Sequence, residues 1–153
     1  MERVDKLKVK QAETFYAAIR NEMSIILATS ANNSVTMRYV SPVYYHGNIL
    51  IFTDASSKKY MQMKENPNCC LFAGGFFATA TAEFFGSTML DANEAMRAAY
   101  TAKFPGAFDE GVALGGRNAE FILLRPVKLS GWTFENDIPT ADGSPNLPFE
   151  IEL

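Results

Sequence analysis

The stretch that most constrains this chain is Val35 to Pro67, VTMRYVSPVYYHGNILIFTDASSKKYMQMKENP, which reads as strand, tight turn, strand and a short helix. Across its first strand, Val35 to Tyr45, a period of two puts Val35, Met37, Tyr39, Ser41, Val43 and Tyr45 on one face. Thr36, Arg38, Val40, Pro42 and Tyr44 take the other, so Arg38 shares a face with Val40. Pro42 has no N–H to give a ladder, which predicts an edge or a bulge there, a common way for a sheet to bend around a site. His46-Gly47-Asn48 makes the turn and Ile49 to Thr53 the next strand. Asp54 to Ser57 then offers N-cap residues for a helix that runs to Asn66, with Pro67 as its stop. The first turn of that helix carries Lys58 and Lys59. A helix N-terminus already holds partial positive charge, so two lysines there are unfavourable unless an anion shares the spot. Arg38 on the strand reaches the same place, and with the Thr53-Asp54 strand end these residues make a cradle for a phosphate monoester.

On either side the chain alternates short strands with a few helices. From about Lys6 to Asn21, Leu7, Val9, Ala12, Phe15, Tyr16 and Ile19 recur mostly every three or four residues, which predicts an amphipathic helix. Ser24 to Ser30 is a short branched apolar strand, closed by Ala31-Asn32-Asn33-Ser34, where the asparagines suit positive φ. Cys69 to Phe77 and Ala78 to Ser87 read as two strands, with Gly74-Gly75 as a bend between or within them. Asp91 opens a helix, DANEAMRAAYTAKF, in which Asp91 and Glu94 have capping-box spacing, and Pro105-Gly106 ends it. A short helical piece and Gly115-Gly116 lead to a final strand, Asn118 to Trp132, bent at Pro126. From Asp137 onward the chain reads as an extended arm without a helix or strand pattern. The divisions are therefore a single domain over 1–136 and a C-terminal tail over 137–153. Short strands joined by tight turns fit a mainly β, small antiparallel barrel with flanking helices, not a doubly wound sheet. No GxGxxG or GxxxxGK[ST] is present, so neither Rossmann nor P-loop nucleotide binding has support.

Composition narrows the chemistry. With 48% hydrophobic and 20% charged residues, the 153-residue chain is of ordinary globular type. A net charge of -3 argues against holding nucleic acid through a broad basic face, and makes single-stranded nucleic acid on exposed aromatics a poor reading. No apolar run suggests a membrane span, and the charged start MERVDKLKVK has no signal-peptide core behind it, so the expected location is the cytoplasm. Cys69 and Cys70 are adjacent and point to opposite faces of a strand, which predicts two free thiols, and His46 is the one histidine, which leaves no cluster for a protein-ligated metal.

The order LATS, turn, VTMRYVSPVYYHGNILIFTDASSKKYMQMKENPNCCL resembles the FMN-binding split-barrel superfamily of pyridoxamine 5'-phosphate oxidase-like proteins, well over Ser24 to Gly86 and more loosely at RPVKLSGW. The resemblance implies an antiparallel Greek-key split β-barrel, and a homodimer with two FMN sites at its interface. It places the phosphate on Arg38, Ser57, Lys58 and Lys59, the flavin ring along Tyr39 and Val40, and its polar edge at Phe52-Thr53. Thr79 or Thr81, in ATATAEFFG, would send a polar side chain toward the cofactor. The oxidase's basic residue shortly after the strand arginine is here Val43, preceded by Pro42. Its Tyr, Arg and Ser substrate cluster and its C-terminal Trp and Arg motif find no match, Trp132 standing in a different setting. The cofactor site is therefore carried over and the vitamin B6 substrate is not; general-stress and nitroimidazole-resistance-type members are closer in size. The expectation is an FMN-dependent oxidoreductase passing electrons or hydride from a small-molecule donor to a small acceptor, with a non-catalytic flavin store or redox sensor as the alternative. Related barrels also take deazaflavin or haem, but the compact phosphate cluster favours FMN and a lone turn histidine gives haem little support.

Overall fold

Turn chemistry sets the strand boundaries. Asn32 and Asn33 hold φ of 50° and 61°, and His46 holds 48° ahead of Gly47 at 80°, so both hairpins close on residues that tolerate the left-handed region. The computed structural model describes residues 2–109, 118–132 and 148–153. Within them the order is α1 (Glu2–Asn21), β1 (Ile25–Ala31), β2 (Ser34–Val40), β3 (Val43–Tyr45), β4 (Asn48–Asp54), α2 (Lys58–Glu65), β5 (Asn68–Ala73) and β6 (Phe76–Ser87). A 3₁₀ turn (Asp91–Asn93), α3 (Glu94–Lys103), β7 (Ala119–Trp132) and β8 (Pro148–Glu152) follow. The eight strands form one sheet in the order β2-β1-β5-β6-β7-β4-β3, with β8 also on β7, and every pairing is antiparallel. This is the mainly β, single-domain antiparallel architecture with flanking helices that the strand pattern predicts.

The predicted strand Val35 to Tyr45 is two strands at opposite ends of the sheet. β2 pairs β1 and β3 pairs β4, with Ser41-Pro42 between them. The proline removes a ladder donor, and the break lets the chain leave one edge and join the other. Val40 and Val43 are three Cα steps apart, at most roughly 11 Å. The open sheet must therefore curl until its two ends stand side by side, and a cleft lined by Val40 and Ser41 of one end and Phe52 and Thr53 of the other forms at that junction.

Two apolar clusters flank the sheet. Phe15 and Ile19 of α1, four apart and both fully buried, pack with Ile25, Leu27, Ile49, Ile51, Leu71, Ile122 and Leu124 inside the curl. On the other face Leu50, Phe121 and Leu123 meet Met96 and Tyr100 of α3. Alternation along β4 and β7 thus feeds both clusters. Gly74 sits at φ 60° in the β5–β6 turn, and a Cβ there would stand 2.9 Å from the Ala18 side chain, so the turn needs glycine both for its backbone and for the approach of α1.

Two further expectations change, and the bend expected at Pro126 is present. The capping box at Asp91 does not form: the chain tightens into a 3₁₀ turn, and Asn93, at the N-cap of α3, sends its amide to the Phe85 and Ser87 carbonyls. The bend at Pro126 is a bulge, because Thr79 pairs Lys128 and Ala80 pairs Pro126, leaving Val127 unmatched. The tail contains a strand after all, since β8 pairs residues 128–132 of β7, setting buried Ile151 opposite Leu129 and Glu150 against Lys128 at 2.8 Å. Five residues are too few to show a period, and the exposed edge of β7 supplies what the local sequence lacks. Residues 110–117, which include Gly115-Gly116 and the end of the expected helical piece, and 133–147 lie outside the described residues.

Candidate functional site

The entry into α2 is built from short-range hydrogen bonds. The Asp54 carboxylate accepts from the Ser56 amide at 2.7 Å and the Ser56 hydroxyl at 2.5 Å, bonds that hold it below its ordinary pKa with help from Lys59. Ser57 is the N-cap, its hydroxyl accepting from the Tyr60 amide at 3.4 Å and lying 3.2 Å from the Thr53 hydroxyl. No acidic residue stands in the first turn. Lys59, half-buried at this point, is pushed below the ordinary lysine value first by burial and then by the neighbouring charge of Arg38, with Asp54 pulling the other way. Two cations thus converge beside a helix N-terminus.

Arg38 is held from behind. One terminal nitrogen donates to the Leu27 carbonyl at 3.1 Å and to the Thr29 hydroxyl at 2.8 Å, while the other donates to the Thr36 hydroxyl. Both threonines in turn donate to Oε1 of Gln62, at 2.7 Å and 2.6 Å, and Gln62 Nε2 donates to the Ser34 carbonyl at 3.2 Å. Three of the five guanidinium donors are engaged among the described residues, so the group is fixed and keeps donors for a ligand. Burial lowers its pKa without removing its charge.

A cleft of about 220 Å³ opens next to this pair, lined by Tyr39, Val40, Phe52, Thr53 and Lys59 together with Ser24, Ser41, Tyr100 and Phe104. The first five are residues singled out from sequence. Ser57 stands at its edge through Thr53, and Arg38, whose charge acts on Lys59, does not itself line the cleft. Lys58 is exposed and does not line the cleft. Thr81 lies elsewhere in the chain: it opposes Asn68 and Arg125 and lines a separate, larger groove of about 440 Å³ with Thr79, Asn66, Asn68 and Cys70. His46 packs on Tyr45 in the β3–β4 turn, 4.5 Å between ring centroids, as a turn residue. Burial pushes the Cys69 thiol up to about 12, and both cysteines are free.

What the sequence reading missed comes from α3 and from the polar network. The Tyr100 hydroxyl donates to the Ser41 carbonyl at 2.9 Å, and the Lys103 ammonium donates to the carbonyls of Pro42 (2.7 Å), Ile19 (2.8 Å) and Glu22 (2.6 Å). One helix therefore grips both peptide carbonyls of the joint between the sheet ends. No local signal reports this contact, which spans about sixty residues of sequence. The Thr29, Thr36 and Gln62 support had a faint signal only, polar residues where the inner face of β1 and β2 should be apolar.

No family model and no curated protein matches the sequence. Solved structures do. A candidate pyridoxamine 5'-phosphate oxidase from Listeria innocua superposes with a TM-score of 0.60 at 12% identity, over 77% of this chain and 94% of that one. The chain has the split-barrel fold of the pyridoxamine 5'-phosphate oxidase-like proteins. A FAD-binding protein from Mesorhizobium loti shares the split barrel with a TM-score of 0.60 at 13% identity, over 77% of this chain and 91% of that one. A heme-binding protein from Mycobacterium smegmatis matches at 0.65 and 14%, covering 93% of this chain and 56% of its own. A general stress protein from Bacillus anthracis and a NimC/NimA family protein from Clostridium acetobutylicum have the split barrel too. Among the described residues, no helix of this split barrel is long and apolar enough to cross a membrane.

Proposed function

We propose that the cleft binds FMN and that the protein is an FMN-dependent oxidoreductase acting on a small acceptor. The observation that carries this reading is the half-buried Lys59 that lines the cleft at the α2 N-terminus and is disfavoured by the charge of Arg38: two cations are retained beside a positive helix end, and a phosphate would relieve both. The donor set suits a phosphate monoester. Lys59, the free donors of Arg38 and the Ser57 and Thr53 hydroxyls would hold it, while the Tyr39-Val40 backbone and Phe52 would flank a flat ring system. Bound there, FMN would supply the redox chemistry, accepting and passing on electrons or hydride. The protein's own residues would fix the phosphate through Lys59 and Arg38, with Val40 and Phe52 as apolar lining for the ring system and positive charge at the cleft's end. Proteins of this fold include FAD-binding and heme-binding ones, so the choice of a flavin rests on the compact cation pair, which favours a monophosphate. For haem, the one histidine stands in the β3–β4 turn and does not line the cleft.

A second copy of the chain completes the site in this reading. The cleft of one chain, about 220 Å³, falls short of the roughly 300–1,000 Å³ that bury a small ligand. Beside it β2 exposes Val35, Met37 and Tyr39, at 73, 66 and 73% of their surface, as one apolar stripe that ends at the cleft rim. A homodimer through that stripe would cover the ring, and Thr81 would reach cofactor only from the partner's sheet.

The test is the visible spectrum of the purified protein, followed by titration of the apo form with FMN, FAD and riboflavin. FMN binding far tighter than riboflavin is the expected result. Equal affinities would remove the phosphate cradle, and no flavin binding would remove the reading. Oxidation of NAD(P)H with an added acceptor by the FMN-loaded protein separates an enzyme from a flavin store or sensor.

A further inference from the structure

The cleft has two unlike ends. Thr53 and Lys59 make one end polar and cationic; Tyr100 and Phe104 of α3 make the other aromatic, with Phe52 between. We propose that Phe104 is the specificity-determining residue of this cleft, and that the substrate it admits is a flat conjugated ring bearing a hydrogen-bonding substituent. The proposal rests on the cleft being the FMN site and deepens that reading.

The aromatic end is backed and rigid. Tyr100 is 4% exposed, its ring centroid 4.8 Å from Phe52 and 5.2 Å from Phe104, the latter pair tilted by only 30°. Phe52 also packs on Phe108 at 5.1 Å and on Phe121 at 6.2 Å, two rings that do not line the cleft, so the wall is braced by further aromatic contacts. The polar groups on this wall are already committed. Tyr100 gives its hydroxyl hydrogen to Ser41, and the three donors of Lys103 go to three carbonyls, so neither has a free donor for substrate. Lys103 also stands 5.2 Å from the Phe104 ring, holding one side of it. Phe104, half-buried at the C-cap of α3, is left with ring surface toward the cleft. Aromatic surface of this kind discriminates in favour of another ring, edge-on or offset, over a saturated body of equal size. Ser24 and Ser41, exposed at the same cleft, supply hydroxyls for a single polar substituent.

The experiment uses FMN-loaded protein and two probes of one carbon skeleton, 2-naphthol and its saturated analogue decahydro-2-naphthol, with binding read from the flavin absorbance. The wild type should prefer 2-naphthol by about fivefold or more, the worth of one good aromatic pair. Phe104→Ala and Phe104→Leu should each lose that preference and Phe104→Tyr should keep it, each measured on protein saturated with FMN. Retention of the preference in Phe104→Leu overturns the proposal while leaving the cofactor site standing. So does an equal weakening of FMN itself, which would make Phe104 part of the cofactor's own wall. Failure of the wild type to bind FMN at all overturns the proposed function, and this inference with it.

Discussion

A lysine held beside an arginine at the start of a helix is disfavoured in its charged form, and burial adds to the cost; Lys59 meets both conditions while Lys58, one residue earlier, points to solvent. The two lysines look alike in sequence and differ in the fold. Lys59→Ala should cost ~2 kcal/mol of FMN affinity, the scale of a charge-assisted hydrogen bond, and Lys58→Ala under ~0.5 kcal/mol, the scale of an exposed charge, both by equilibrium titration. The same geometry sets a pH dependence. In the free protein Lys59 loses its proton at a lower pH than an ordinary lysine, and bound phosphate would restore the charged form. As pH rises through that lowered pKa, FMN binding should take up a proton and weaken, whereas riboflavin affinity should stay flat. Parallel titrations across the alkaline range check this, and equal slopes for the two ligands would remove Lys59 from the phosphate site.

At the scale of elements, the Ser41-Pro42 joint and α3 act together. Proline breaks the strand, but what fixes the break is the pair of bonds from Tyr100 and Lys103 to its two carbonyls. Lys103→Met keeps most of the side chain's length and removes the ammonium from three carbonyls, at Ile19, Glu22 and Pro42. A loss of ~2 kcal/mol in urea unfolding is expected, because carbonyls that lose a charged donor in part-buried surroundings are costly. FMN affinity should fall as well, since Val40 and Ser41 both line the cleft. Unfolding stability lost without any change in flavin affinity would show that α3 supports the fold alone. The break was legible in Pro42; its fixing was not. Hydrogen bonds to backbone carbonyls about sixty residues away leave no periodic trace, whereas the hairpin asparagines and the Ser57 cap declare themselves locally.

For the molecule as a whole, the proposed homodimer would use the exposed stripe of Val35, Met37 and Tyr39 to complete the cleft. Met37→Glu puts a charge in the middle of that stripe without touching a residue of the cleft. It should shift the protein toward monomer by light scattering at micromolar concentration and weaken FMN by tenfold or more, on the order of 1.4 kcal/mol. A wild type that is monomeric and still binds FMN tightly would place the whole site in one chain.

The sequence by itself determined the parts whose signals are local: the alternating strands, the turns at Asn32-Asn33 and His46-Gly47, and the helix after Ser57 with Lys58 and Lys59 in its first turn. Resemblance added the split barrel, which the solved structures share. Only the tertiary structure decided that residues 35–45 serve both ends of one sheet and that Lys59 rather than Lys58 enters the cleft. It also showed that Thr81 faces another groove, that Pro148–Glu152 becomes a strand, and that α3 forms the aromatic wall. The division has a physical cause. Dihedral preference, capping and period act within a few residues, while the curl of the sheet and the position of α3 follow from which buried faces meet across the chain, a choice made by packing.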